Sequence, residues 1–184
     1  MVSLMPLEIE KKYRLTNDQR RAVEKRLRAL GVKPRPVELE ENTIYRGGNL
    51  KPGSRALRLR RVNGRAILTF KERFPTRSSI KHQQENETGL IDADATHAIL
   101  SALGFEAALI YEKRRTGWAV GRTELVIDEL PYGLFMEIEG SEKEILRVEK
   151  KIGAEDFEAV NETYPTLTAK FGKKRKGIIE ARFK

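Results

Sequence analysis

The sequence predicts an α+β domain built on eight antiparallel strands with helices placed between some of them. Three observations lead there. Eight segments read as strands, and in several of them charged and apolar residues alternate with period two, which is the mark of strands with one polar and one apolar face. The Asn63-Gly64 pair joins two such segments as a tight hairpin. Capping signals at Thr16, Asp92 and Ser141 open helices that interrupt the strand series.

The opening strand is Leu7–Tyr13, with Glu8, Glu10 and Lys12 on one face. Thr16 and Gln19 then form a capping box, and Ala22, Val23, Leu27 and Leu30 share a helical face ended by Gly31 and Pro34. Residues 35–41 read as a connection that includes Glu38-Leu39-Glu40. Asn42–Tyr45 reads as a short strand, followed by a turn at Arg46-Gly47-Gly48-Asn49 and a loop at Lys51-Pro52-Gly53-Ser54. Ala56–Val62 and Ala66–Lys71 flank the hairpin turn. Glu72–Ser79, with Pro75, reads as an exposed and mobile loop, and Lys81–Thr88 as the fifth strand.

Asp92 caps a helix carrying Ala95, Ile99, Ala102 and Leu103 and closed by Gly104. Ala107–Thr116, Trp118–Asp128 and Tyr132–Gly140 follow as three strands, with bends expected at Gly117 and Pro131. Ser141 and Glu144 open a helix with an Ile145, Val148 and Ile152 stripe, closed by Gly153. A last helix runs through Tyr164, Leu167 and Phe171, and a Lys-rich tail over 173–184 follows the single domain expected over 1–172.

Composition narrows the chemistry. The 184 residues carry a formal charge of +9, which points to an anionic partner: a polyphosphate, a nucleotide or a nucleic acid. There is no cysteine, so disulfides and thiolate chemistry are excluded. No segment has the ~20 apolar residues of a membrane span, and a soluble, cytoplasmic protein without a membrane partner is the expectation.

Parity assigns the charges to faces. Leu57 and Leu59 set Arg58 and Arg60 on the polar side, Leu68 and Phe70 do so for Lys71, and Met136 and Ile138 for Glu137 and Glu139. Asp128 follows Leu125 and Ile127 in the same way, and Glu85 and Glu87 share a face. Between Lys113 with Arg115 and Glu112 with Arg114, alternation does not choose the inward pair. A half-buried sheet with a wet charged face explains such a pattern. A closed barrel explains it too, and would turn the same face into an interior holding opposite charges and a charged ligand. Hard divalent ions take oxygen ligands, commonly one or two carboxylates plus water and phosphate, while Arg and Lys neutralise the rest of a phosphate chain.

Taken in order, Glu8-x-Glu10-x-Lys12, Leu57-Arg58-Leu59-Arg60, Leu68-Thr69-Phe70-Lys71, Glu85-x-Glu87, Lys113-x-Arg115 and Asp128-x-x-Pro131-x-Gly133-x-Phe135-x-Glu137-Ile138-Glu139-Gly140 resemble the CYTH domain. This is the superfamily of triphosphate tunnel metalloenzymes, with class IV adenylyl cyclases, thiamine triphosphatases and inorganic tripolyphosphatases. The resemblance spans about residues 5–172. It implies an eight-stranded antiparallel β-barrel, helices outside, holding a triphosphate such as tripolyphosphate, ATP or thiamine triphosphate with Mg²⁺ or Mn²⁺. Glu8, Glu10, Glu85, Glu87, Asp128, Glu137 and Glu139 would be the metal-side carboxylates. Lys12, Arg58, Arg60, Lys71, Lys113 and Arg115 would bind phosphate, with Glu8, Glu10 and Lys12 at the catalytic strand. The resemblance also allows a homodimer.

Tyr45-Arg46-Gly47-Gly48 departs from the acidic turn many relatives carry there, and Asn161-Glu162-Thr163-Tyr164 resembles a late Ser-Tyr segment of cyclase-like members. His82, Trp118 and Tyr132 read as structural residues. A non-catalytic module that binds polyphosphate or RNA is the competing reading, resting on Lys173-Lys174-Arg175-Lys176, Arg182 and Lys184. A nucleic-acid partner is not expected, because the basic strands lack the interleaved aromatic residues that stack on bases.

Overall fold

The computed structural model describes residues 7–74 and 79–184. In chain order the elements are β1 (Leu7–Leu15), α1 (Asn17–Ala29), β2 (Glu38–Arg46), β3 (Arg55–Val62), β4 (Arg65–Arg73), β5 (Ile80–Leu90) and α2 (Ala93–Ala102). There follow β6 (Glu106–Val120), β7 (Thr123–Leu130), β8 (Gly133–Glu139), α3 (Glu142–Ile152), α4 (Tyr164–Phe171), β9 (Lys173–Arg175) and β10 (Ile178–Ala181). The sheet order β2-β3-β4-β5-β1-β8-β7-β6 closes on itself through antiparallel β2–β6 pairing. The expected eight-stranded antiparallel barrel with helices outside is therefore present. Every barrel pair is antiparallel, so β1, β2, β4 and β7 run one way and the other four run back.

Closure explains how a chain so rich in charge forms a core. Over most of the barrel the apolar face of the strands points outward and the polar face inward, while at one end Ile44 and Tyr111 face the cavity beside Tyr164. Tyr13, Leu125, Ile127, Met136 and Ile138 pack with Val23 and Leu27 of α1 and Ile145, Val148 and Ile152 of α3. Trp118 belongs to this core. A second cluster sets Leu100 of α2 on Tyr45, Leu57 and Leu59. A third joins Ile44, Tyr111, Leu130 and Phe135 to Tyr164 and Leu167 of α4, and Tyr132 stacks on Phe171 beside it.

The predicted caps are in place. Thr16 and Gln19 make both halves of the capping box, Asp92 accepts from two amides of α2, and Ser141 from Glu144. Gly153 ends α3 in the left-handed conformation.

Four boundaries differ from expectation. The second strand is longer than Asn42–Tyr45 and takes in Glu38-Leu39-Glu40, because the rungs Glu38↔Arg115 and Glu40↔Lys113 tie that acidic stretch to β6. Gly117 is no bend: it lies inside β6, its carbonyl accepts the Arg35 amide at 2.8 Å, and the turn comes at Gly121 instead. Glu72 and Arg73 belong to β4, while 75–78 of the expected mobile loop lie outside the described residues. The segment read as a Lys-rich tail contains the β9–β10 hairpin, and β10 runs parallel to β6. The glycines of the Arg46-Gly47-Gly48 turn have a packing reason, since a Cβ on Gly47 would meet the Gly104 carbonyl oxygen at 2.6 Å.

Candidate active site

The barrel encloses a cavity of about 570 Å³. Closure settles the parity left open on β6: Lys113 and Arg115 line the cavity, and Arg114 is exposed outside with its guanidinium over the Phe183 ring. All the inward charges expected from sequence line this cavity except Asp128, which is buried beside Lys113 and Arg115.

Asp128 is fully buried and its oxygens are already engaged. Arg115 donates to both oxygens at 2.8 and 2.7 Å, Lys113 stands at 3.3 Å, and the Tyr164 hydroxyl donates at 2.8 Å. Arg115 also donates to Glu137 at 2.9 Å, and Glu137 pairs with Lys12 at 3.0 Å. Burial opposes the charge on Glu137, but Lys12, Arg115 and Lys113 outweigh it and hold its pKa well below the ordinary carboxylate range. Lys12 itself lies 3.7 Å from the Tyr164 ring centre, a cation–π contact that supports the ammonium from below.

Glu40 is the anchor of the opposite side. It is 1% exposed and pairs with Arg60 at 3.2 Å, Lys113 at 3.3 Å and Arg115 at 3.8 Å. Despite burial, Lys113, Arg115, Arg60 and Arg58 hold its pKa down at about 2. Burial and the Arg115 charge have the reverse effect on Lys113, lowering it to about 8 against the pull of Asp128 and Glu40. Arg58 donates to the Thr69 hydroxyl at 3.1 Å, and that hydroxyl donates in turn to Glu87 at 3.0 Å. Among the described residues the Arg58 Nε is buried without an acceptor. A buried donor in that condition is one that a ligand oxygen would satisfy.

The acidic side is crowded in a different way. Lys71 pairs with Glu8 at 2.8 Å and with Glu85. Burial, then a hydrogen bond shared with Glu85, holds Glu8 above its ordinary value. Glu139 stands at the exposed rim opposite Glu10 in register. Loss of solvation there and the Glu8 and Glu10 carboxylates push it up to about 7. These carboxylates lack enough cation, a donor set that fits a hard divalent ion. Among the described residues no three carboxylates or imidazoles stand together at metal-ligand spacing. An ion bound here would complete its shell with water and phosphate oxygens, as Mg²⁺ commonly does.

Sequence parity missed Glu40, Arg73, Lys81 and Gln83, and also Glu38 and Glu124, which line the same cavity. Arg73 and Gln83 line the cavity with Glu40, and Lys81 is buried 3.5 Å from Glu10. Burial and the neighbouring Lys12 charge lower Lys81 to about 8. The signal was present, since Lys71-x-Arg73 and Lys81-x-Gln83-x-Glu85-x-Glu87 hold one parity, but it ran into segments read as loop or past the expected pair. His82 faces away and pairs with Glu142 at 2.9 Å.

A closed antiparallel barrel with a charged interior, cations facing carboxylates, defines a tunnel-type β-barrel domain. The CYTH domain family model matches residues 6–168, and the chain belongs to that family. Among curated proteins no match is found. The fold is similar to the PH1012 protein of Pyrococcus horikoshii OT3, with a TM-score of 0.74 and 23% identity over 85% of this chain and 96% of that one. A candidate adenylyl cyclase of Hippeastrum, described with a dominant triphosphatase activity, has a TM-score of 0.69 and 18% identity, covering 89% of this chain and 95% of its own. A candidate adenylate cyclase of Vibrio parahaemolyticus gives 0.68 and 17%, over 90% and 99%. Among the described residues no helix is long and apolar enough to cross a membrane.

Proposed function

We propose that the protein is a divalent-metal-dependent triphosphatase that hydrolyses inorganic tripolyphosphate or an organic triphosphate inside the barrel. The observation that carries this reading is the two-sided interior, with Arg58, Arg60, Lys113 and Arg115 on one wall and Glu8, Glu10 and Glu139 on the other. Family membership supports it.

The roles follow from the contacts. Arg58, Arg60, Lys71, Lys113 and Arg115 hold the phosphate oxygens, and Arg58 brings a donor that awaits an acceptor. Asp128 and Glu40 position these cations and keep them apart. Glu137 positions Lys12 and Arg115. Glu8, Glu10 and Glu139 would hold Mg²⁺ or Mn²⁺, with Glu85 and Glu87 beside them. Such an ion neutralises phosphate charge and makes water a better nucleophile at neutral pH. Phosphoryl transfer needs positioning and charge stabilisation more than covalent help, and the interior supplies both. Attack by water yields phosphate; attack by a ribose 3′-hydroxyl on the α-phosphorus would yield cyclic AMP and pyrophosphate.

The test offers tripolyphosphate, thiamine triphosphate and ATP with Mg²⁺ or Mn²⁺ and assays phosphate, pyrophosphate and cyclic AMP separately. Phosphate release from at least one substrate is expected, and cyclic AMP as the main product would replace hydrolase by cyclase. No turnover by folded protein refutes both. Glu10→Gln is expected to lower metal-dependent kcat by on the order of 100-fold, the scale of losing one electrostatic stabiliser. Unchanged turnover would take β1 out of the site.

A further inference from the structure

We propose that Arg73 is a further substrate-binding residue that takes the terminal phosphate of a linear phosphate chain, at the end of the cavity away from the Glu139 rim. The inference rests on the tunnel reading above and specifies which end of the substrate lies where. β4 and β7 run in the same direction, so Arg73, the last residue of β4, lies at the same end as the β7–β8 turn. That end is covered: Tyr132 of the turn donates to the Tyr164 carbonyl at 3.3 Å, and Thr163, the N-cap of α4, with Tyr164 and Pro165 of its first turn, lines the cavity. A chain entering from the acidic rim ends against this floor.

Arg73 is held for the task. Its Nε donates to the side-chain oxygen of Gln83 at 3.3 Å, and the buried Gln83 amide donates in turn to Glu8. This uses one edge of the guanidinium and keeps its position fixed relative to the acidic wall. Among the described residues no carboxylate lies within ion-pair distance of Arg73, whereas each of the other cavity-lining cations Lys12, Arg58, Arg60, Lys71, Lys113 and Arg115 has one. Lys81, on the neighbouring strand, is by contrast paired with Glu10 at 3.5 Å. Glu10, Glu137 and Glu8 act on Arg73 only from beyond ion-pair distance, so its guanidinium fork has no direct anionic partner, and a terminal phosphate, with two charges and three oxygens, matches that planar fork.

The test compares inorganic tripolyphosphate with cyclic trimetaphosphate, which has the same number of phosphates and no terminal group. The ligand-induced rise of the unfolding midpoint is followed over a concentration series, with Mg²⁺ and separately with EDTA, for the wild type, Arg73→Gln and Arg73→Lys. Arg73→Gln is expected to raise the half-saturating tripolyphosphate concentration by about tenfold or more, the scale of one lost charge-assisted hydrogen bond. Trimetaphosphate binding should change by less than about threefold, within the scatter of an indirect effect, or be absent throughout, and Arg73→Lys should recover part of the loss. Equal losses for both ligands, or none, would overturn the inference while leaving the tunnel reading intact. If the wild type binds neither ligand in either condition, the inference and the tunnel reading fall together. Arg73 is only half-buried, so the variants are expected to fold, and the unliganded midpoint verifies it.

Discussion

Removing one buried charge, Glu40→Gln, tests whether the cation wall is held together by its own counter-ions. Glu40 is enclosed by Arg60, Lys113 and Arg115 at 3.2, 3.3 and 3.8 Å. A carboxylate held at about 2 instead of its ordinary 4.5 corresponds to roughly 3 kcal/mol of stability at neutral pH. The sign is that of a depressed acid. The contribution is whole above the unfolded value of 4.5 and is lost as pH falls through the folded value near 2. Glutamine keeps the shape and carries no charge at any pH. Urea unfolding at pH 7 should therefore show Glu40→Gln about 3 kcal/mol less stable than wild type, a midpoint shift of roughly 6–12 °C in a thermal scan. At pH 3.5 the gap should narrow to about 2 kcal/mol and continue to close below that. An equal stability at pH 7, or a gap that does not narrow on acidification, would refute the reasoning. Lys113 gives a second readout. It is already lowered to about 8 by burial and Arg115, and loss of Glu40 should leave it less protonated at pH 7 and weaken tripolyphosphate binding.

Tyr164→Phe keeps the ring that Lys12 packs on and removes the hydroxyl that donates to Asp128 at 2.8 Å. A hydrogen bond to a buried carboxylate is worth about 1.5–3 kcal/mol, so thermal unfolding should show a loss on that scale, and a change below about 0.5 kcal/mol would count against the contact. Gly140→Ala should cost about 1–3 kcal/mol, because the residue sits at φ 156° and a Cβ there would lie 2.8 Å from the Thr123 Cγ2. Adding Thr123→Ser removes that methyl and keeps the hydroxyl donation to the Val120 carbonyl at 2.7 Å, so the double variant should recover part of the loss. Additive costs in the double variant would show that the clash is not the cause.

Much of this molecule is written locally. The Ala56–Lys71 hairpin, the caps at Thr16, Asp92 and Ser141, and the sharing of one face by Glu8, Glu10 and Lys12 need only strand and helix periodicity and the chemistry of nearby side chains. Periodicity states which residues share a face and leaves open which face is inside. That choice came from the β2–β6 pairing, between segments some 70 residues apart, which made the charged face an interior and sent Lys113 and Arg115 inward with Glu112 and Arg114 outward. The same pairing made a strand of Glu38-Leu39-Glu40, whose acidic sequence has poor strand preference until Lys113 and Arg115 stand beside it. Likewise the β9–β10 hairpin joins the sheet because β6 offers β10 an edge. The sequence by itself determined the charges, their parity and the helix ends; the tertiary structure decided which charges meet, because ion pairs between distant strands depend on register and closure, and neither is a property of any short stretch of chain.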